Sequence, residues 1–164
     1  MIISHILEEN KADMGGIAFL DILQEAGYYN EEQKYQIIVT FIVDSFMREK
    51  PSLSQPHWVR SVMQNYYQFI NGGYEIIDGK IRVNINNVVK NGIDMMDKII
   101  QIQLENDYEK AKQYIVRGNR CINVTYDSTA GRKYPRDSPS CAFCEYKVNF
   151  LVIRLSIKSL FYFS

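Results

Sequence analysis

Several features that would place a protein in a class at once are missing from this sequence. Neither charge is in excess, since 19 basic residues face 19 acidic ones, so no electrostatic argument favours a nucleic-acid partner. No apolar run reaches about 18 residues, the length of a membrane-spanning helix. The N-terminus has no basic segment followed by an apolar one, the pattern of a secretory signal. These absences predict one soluble, cytoplasmic domain with no membrane partner.

Cysteine and histidine are also scarce. The three cysteines all lie beyond position 120, and their odd number does not suggest a disulfide framework. Cys141-Ala142-Phe143-Cys144 is a single CxxC, whereas a structural zinc site of this type requires a second pair, so we interpret it as incidental. The only histidines are His5 and His57.

Apolar residues recur at helical spacing through most of the first 116 positions. Gly27 is a suitable stop for the first helix, and Asp107 is a suitable N-cap for the last one. The Gly15-Gly16 pair weakens the first helix and indicates close packing against another helix. The predicted helices are Ile3–Ala26, Glu31–Arg48, His57 to Gly72, Asn87–Glu105 and Tyr108–Val116.

One β-hairpin is predicted between the third and fourth helices. Tyr74–Ile77 and Lys80–Val83 flank Asp78-Gly79, a dipeptide suited to a two-residue type I′ turn. The fold class is therefore mainly α, with about five helices and one β-hairpin. Residues 117–164 have a different composition and are expected to be a divergent tail, either poorly ordered or strand-forming.

The first helix carries the strongest chemical pattern. His5, Glu9 and Asp13 are four residues apart and share one helix face, which fits either a site or a solvated stripe. The segment Glu8-Glu9-Asn10-Lys11-Ala12-Asp13 resembles the Glu-Glu-x-x-Ala-Asp/Glu segment of the dipeptidyl peptidase III family of zinc metallopeptidases. The resemblance implies that Glu9 is a metal ligand and that Asp13 supports a metal-bound histidine. Glu8 would be a neighbour whose role is open, and His5 would not be a ligand.

His57 carries the second part of the resemblance. A lone histidine at a helix start is often only structural, but Ser54-Gln55-Pro56-His57 and the following helix, which ends at Gly72, are similar to the family's Ala-His helix. The resemblance implies a catalytic role for His57, which would stabilise the oxyanion of a tetrahedral intermediate. Trp58-Val59-Arg60-Ser61 is bulkier than the family pattern, and whether Arg60 replaces a substrate-contacting residue is open.

The matching elements occur in the family's order from about Ile2 to Val116, which implies part of a helical, peptide-cleaving, zinc-dependent catalytic domain. The His-Glu-x-x-x-His helix, which supplies two ligands and the general base in that family, has no counterpart here. We therefore expect a truncated or partial peptidase, a fragment that is inactive alone and does not bind zinc stably by itself. A partner chain or self-association would cover the face left by the missing portion.

The competing hypothesis is a small α-helical interaction or structural protein without metal or catalysis. The two hypotheses differ over Glu9 and His57, which lie 48 positions apart. The resemblance implies that both face one cleft, whereas an interaction protein has no such requirement.

Overall fold

Helices and one antiparallel hairpin make up the part of the chain that the computed structural model describes, residues 2–47, 55–77 and 80–118. The predicted mainly α fold with one hairpin is confirmed within these residues. The predicted tail and the CxxC lie outside them. The elements are α1 (Ile2–Ala18), α2 (Leu20–Glu25), α3 (Glu31–Met47), α4 (Pro56–Ile70), β1 (Tyr74–Ile77), β2 (Lys80–Val83), α5 (Ile85–Glu105) and α6 (Tyr108–Gly118).

The prediction of one continuous helix from Ile3 to Ala26 is wrong at Phe19. This residue has φ −88° and ψ 0° and separates α1 from α2. The break closely follows the Gly15-Gly16 pair, and glycine pairs are a recurrent cause of helix kinks. The stop at Gly27 is confirmed, because Gly27 has φ +82°, a conformation that favours glycine.

Helices α1 and α5 pack closely along their length. A Cβ added at Gly15 would lie 3.6 Å from Met96 Sδ, and one added at Gly92 would lie 2.8 Å from Ile17 Cγ2. The expected close packing is therefore present at Gly15, while a Cβ at Gly16 would meet nothing within 4 Å.

Asparagine and aspartate side chains set the ends of α5 and α6. Asn84 Oδ1 accepts from the backbone N–H of Asn87 at the start of α5. Asn106 ends that helix in the left-handed region at φ +51°, and Asp107 then accepts from Lys110 N at 2.9 Å as the predicted N-cap of α6. In the hairpin, Ile77 pairs with Lys80, which matches a two-residue loop, but Asp78-Gly79 itself lies outside the described residues.

Helix α4 lies at the centre of the fold and contacts α1, α3, α5, α6 and β1. Apolar residues of α1, α3, β1 and α5 form one core cluster, and Val59 and Met63 of α4 join a second cluster with α1, α5 and α6. No described helix combines the length and the apolar character needed to span a bilayer.

Because α4 is surrounded, five of its polar side chains are buried. Asn65 exchanges hydrogen bonds with Ser45 of α3, donating to its carbonyl at 3.0 Å and accepting from its hydroxyl at 2.7 Å. Gln68 donates to Val88 O at 3.2 Å and accepts from Asn91 at 2.9 Å. The buried polar residues of α4 are Arg60, Ser61, Gln64, Asn65 and Gln68.

Candidate functional site

Two facing helices bring together polar residues from distant parts of the sequence. On α1, Glu9 and Asp13 are one turn apart and share a face. On α4, His57, Arg60 and Gln64 are spaced three and four residues apart and face α1. We call these five residues the carboxylate–arginine cluster.

Each carboxylate of the cluster contacts α4 through one oxygen. His57 Nδ1 lies 3.1 Å from Glu9 Oε2, and Arg60 Nη1 lies 3.5 Å from the same oxygen. Arg60 Nη1 lies 2.6 Å from Asp13 Oδ2, to which Gln64 Nε2 also donates at 3.5 Å. The guanidinium of Arg60 is therefore shared between two carboxylates.

Burial increases along the cluster. The His57 side chain is 59% exposed, the carboxylates of Glu9 and Asp13 are 36% and 30% exposed, and Arg60 is only 4% exposed. His57 lies in the first turn of α4, where the helix dipole favours a nearby negative charge such as Glu9. The cluster thus runs from a solvent-facing histidine to a buried arginine.

The short His57–Glu9 contact limits what the solvent-facing end can do. When Nδ1 carries the proton that faces Glu9, a neutral His57 presents Nε2 as an acceptor, while a protonated His57 presents a second N–H. The described contacts of Glu9 all use Oε2. Its Oε1 therefore remains available for a ligand.

Zinc, the metal implied by the resemblance, is only partly accommodated by these residues. A carboxylate can ligate through one oxygen while the other accepts hydrogen bonds, which suits Glu9. A catalytic zinc needs about three protein ligands, and within residues 2–47, 55–77 and 80–118 no three His, Cys, Asp or Glu side chains form a metal-binding group. The Arg60 cation beside Glu9 also opposes a second cation. The described residues therefore do not form a complete zinc site.

The structure does not bring Glu8 into the cluster. Its carboxylate accepts from Lys11 at 3.0 Å and from Gln103 of α5 at 2.6 Å, so it ties α1 to α5. The hydrogen bond from Lys11 holds the pKa of Glu8 below its ordinary value, and the bond from Gln103 adds to this effect. His5 is exposed one turn before Glu9.

Sequence reasoning missed Gln64 and the cleft beside it. This cleft of about 400 Å³ lies between α1, α3 and α4, and Asp13, Arg60 and Gln64 line its polar end. The signal for Gln64 was available, because His57, Arg60, Gln64 and Gln68 recur at helical spacing along one helix.

Comparison with protein-family models, curated proteins and solved structures finds no match to this chain.

Proposed function

We propose that this chain carries the glutamate half of a zinc peptidase site of the dipeptidyl peptidase III type. Glu9 would be the carboxylate ligand, and a His-Glu-x-x-x-His helix from another segment would supply the remaining ligands and the general base. The chain alone would then lack peptidase activity.

One observation carries the proposal: Glu9 and His57, distant in sequence, meet at 3.1 Å. An interaction protein would not require this contact, whereas a peptidase site needs its ligand and its oxyanion-binding group near one substrate position. The orientation of Glu9 supports the proposal too, since the contacts to Oε2 leave Oε1 for a metal.

The residues of the cluster would have different roles in such a peptidase site. Zinc, when bound, supplies Lewis-acid polarisation of the scissile carbonyl and an activated water. His57 would donate a hydrogen bond to the developing oxyanion of a peptide substrate. Asp13, held by Arg60 and Gln64, would accept a hydrogen bond from one of the supplied histidines.

Zinc titration with a complementing peptide tests this proposal. The full chain is titrated by calorimetry alone and with an equimolar synthetic helix containing His-Glu-x-x-x-His, and the peptide is also titrated alone. We expect weak zinc binding by the chain and a gain of about tenfold or more for the mixture over the peptide, because a third ligand completes the site.

Substitutions identify the third ligand in the same titration. Glu9→Gln should abolish the gain, while Glu75→Gln, on an exposed position of β1, should leave it unchanged. A mixture that binds zinc no better than the peptide, or a gain that survives Glu9→Gln, would overturn the proposal. Cleavage of a dipeptidyl naphthylamide by the chain alone would contradict its inactivity.

A second function, a helical interaction protein without metal chemistry, is favoured by a different observation. Four of the ten large apolar residues that are exposed in the described part of the chain, Phe19, Ile22, Tyr28 and Tyr35, fall in one short stretch around α2 and the start of α3. A contiguous exposed apolar patch is typical of a partner surface. Sedimentation velocity across a concentration range, with and without zinc, would reveal zinc-independent self-association, and Ile22→Ser should weaken it.

A further inference from the structure

The β-hairpin leaves one of its edges open. Within the described residues it is a two-stranded sheet made of β1 and β2. On the β1 side, α4 contacts the strand, and the ring of Tyr74 packs against Phe46 and Phe69. Among the described elements, β2 has close contacts with β1 alone. The outer edge of β2 is therefore the edge at which a further strand can pair.

The register shows which backbone groups face outward from β2. Asn84 donates from its N–H to Gly73 O at 2.8 Å, so these two residues form a hydrogen-bonded pair. Such pairs alternate with non-hydrogen-bonded pairs along an antiparallel ladder. Ile81 and Val83 occupy the non-hydrogen-bonded positions, so their N–H and C=O groups point away from β1. No other backbone group in the described part of the chain hydrogen-bonds to them.

The side chains of β2 alternate in character. Ile81 and Val83 are half-buried against the core, whereas Lys80 and Arg82 are exposed on the opposite face. Neither cation forms an ion pair with another described residue, although Glu75 lies across from Arg82 in the register. A strand added at this edge would place its own side chains beside Lys80 and Arg82. Opposite charges stabilise such cross-strand pairs and like charges destabilise them, so the edge favours an acidic strand.

The same charges disfavour two other strands that this protein could offer. Antiparallel pairing of β2 with β2 of a second copy would set Arg82 against Arg82, or Lys80 against Arg82. The chain's own apolar segment 148–164 carries Arg154 and Lys158 and no acidic residue, so it would repeat the repulsion. A segment with alternating apolar and acidic residues fits both faces of β2.

We propose that the outer edge of β2 binds an extended acidic peptide segment of a partner protein by antiparallel strand addition. The peptide backbone pairs with Ile81 and Val83, and its acidic side chains lie beside Lys80 and Arg82. The hairpin follows the C-terminal end of α4, about 20 Å along that helix from His57. The edge is therefore separate from the carboxylate–arginine cluster, and its role does not require zinc.

Titration of the full chain with acetyl-Val-Glu-Val-Glu-Val-amide, followed by NMR, tests the proposal. We expect a dissociation constant on the order of 1 mM, because β2 offers only four residues. The basic peptide acetyl-Val-Lys-Val-Lys-Val-amide should bind about tenfold more weakly, because both cross-strand charge pairs become repulsive. Equal binding of the two peptides, or no binding of the acidic peptide at about 10 mM, would overturn the proposal.

Two measurements distinguish strand addition from general charge attraction. N-methylation of the central valine of the acidic peptide removes an N–H that faces β2, so it should weaken binding about tenfold. N-methylation of the first glutamate, whose N–H faces away, should change the affinity by less than about twofold. The bound peptide should slow hydrogen exchange at the amides of Ile81 and Val83. Equal effects of the two N-methyl groups, or protection only at other amides, would refute strand addition.

Substitutions test the contribution of the two cations. The double variant Lys80→Gln and Arg82→Gln should weaken binding of the acidic peptide about fivefold and remove the discrimination between the peptides. Lys112→Gln, at an exposed position of α6, is the matched control and should change neither affinity. Discrimination that survives the double variant would refute the role of the β2 cations.

Sedimentation velocity of the chain without peptide tests the competing occupant. We expect no concentration-dependent dimer that involves β2, because like charges would face each other across the pair. A dimer that slows hydrogen exchange at Ile81 and Val83 would assign the edge to a second copy and overturn the proposal.

Discussion

Removing either partner of the Asp13–Arg60 ion pair should have unequal consequences for stability. The two side chains meet at 2.6 Å, but Arg60 is 4% exposed and Asp13 is 30% exposed. Asp13→Asn leaves a buried cation with weaker compensation from Glu9, which lies 3.5 Å away. Arg60→Met leaves carboxylates that water can reach, and it keeps an apolar stem in the space of the arginine. The loss of the acid should therefore destabilise the fold more.

The magnitudes follow from the burial of each partner. Breaking a buried pair by removing one partner costs about 3–5 kcal/mol, while an exposed pair contributes about 0–1 kcal/mol. We expect Asp13→Asn to lower the free energy of unfolding by about 3 kcal/mol, at the bottom of the buried range because Asp13 is partly hydrated. Arg60→Met should lower it by about 1–2 kcal/mol. The double variant should resemble Arg60→Met, since it contains no buried cation to compensate.

Urea unfolding followed by circular dichroism measures all three free energies. Asp94→Asn is the control, because the Lys90–Asp94 pair is nearly as close, at 2.8 Å, but its side chains are 70% and 39% exposed. This control should change the free energy of unfolding by less than about 0.5 kcal/mol. The reasoning is refuted if Arg60→Met costs as much as Asp13→Asn, or if the double variant loses the sum of the two.

Three further predictions concern the scaffold around the site. Gly92→Ala should destabilise the fold by about 1–3 kcal/mol because the added Cβ would clash with Ile17 of α1. Gly16→Ala should stabilise the fold by about 0.5–1 kcal/mol because a Cβ there meets nothing within 4 Å. Thermal unfolding measures both changes in stability. Asn106→Gly should stabilise modestly, and Asn106→Ala should not, because only the first suits φ +51° without strain. Lys11→Met should raise the pKa of Glu8 in an NMR titration. Since the folded pKa of Glu8 lies below its ordinary value, the stabilisation is present above that ordinary value and is lost as the pH falls through the folded pKa.

Local signals in the sequence were sufficient for most element boundaries. Asp107 caps α6 as predicted, because an aspartate side chain satisfies the first free N–H groups wherever it precedes a helix. The hairpin register follows from alternation and a two-residue loop. The break at Phe19 was missed because Phe19 itself is not a helix-stop residue, and the Gly15-Gly16 pair before it was interpreted as a sign of close packing.

The site could be predicted only in part. The structure brings Glu9 and His57 together as the resemblance implied, while their roles as ligand and catalytic residue remain predictions. The contribution of Arg60 depends on how deeply α4 is buried, which no local pattern encodes. The cleft likewise forms only where three helices pack side by side, which the sequence pattern does not specify.

The buried amides of α4 restrict how the helices can be assembled. A helix with only aliphatic contacts can rotate or slide by one turn and still bury similar area. If α4 rotated, Asn65 would lose Ser45, Gln68 would lose Val88 and Asn91, and Arg60 would lose its carboxylates. Each misaligned packing would therefore leave polar groups without partners in a dry interior. The buried amides of α4 therefore specify the register of the helix. We expect apolar replacements at these positions to give a compact chain with several competing helix packings rather than an unfolded chain.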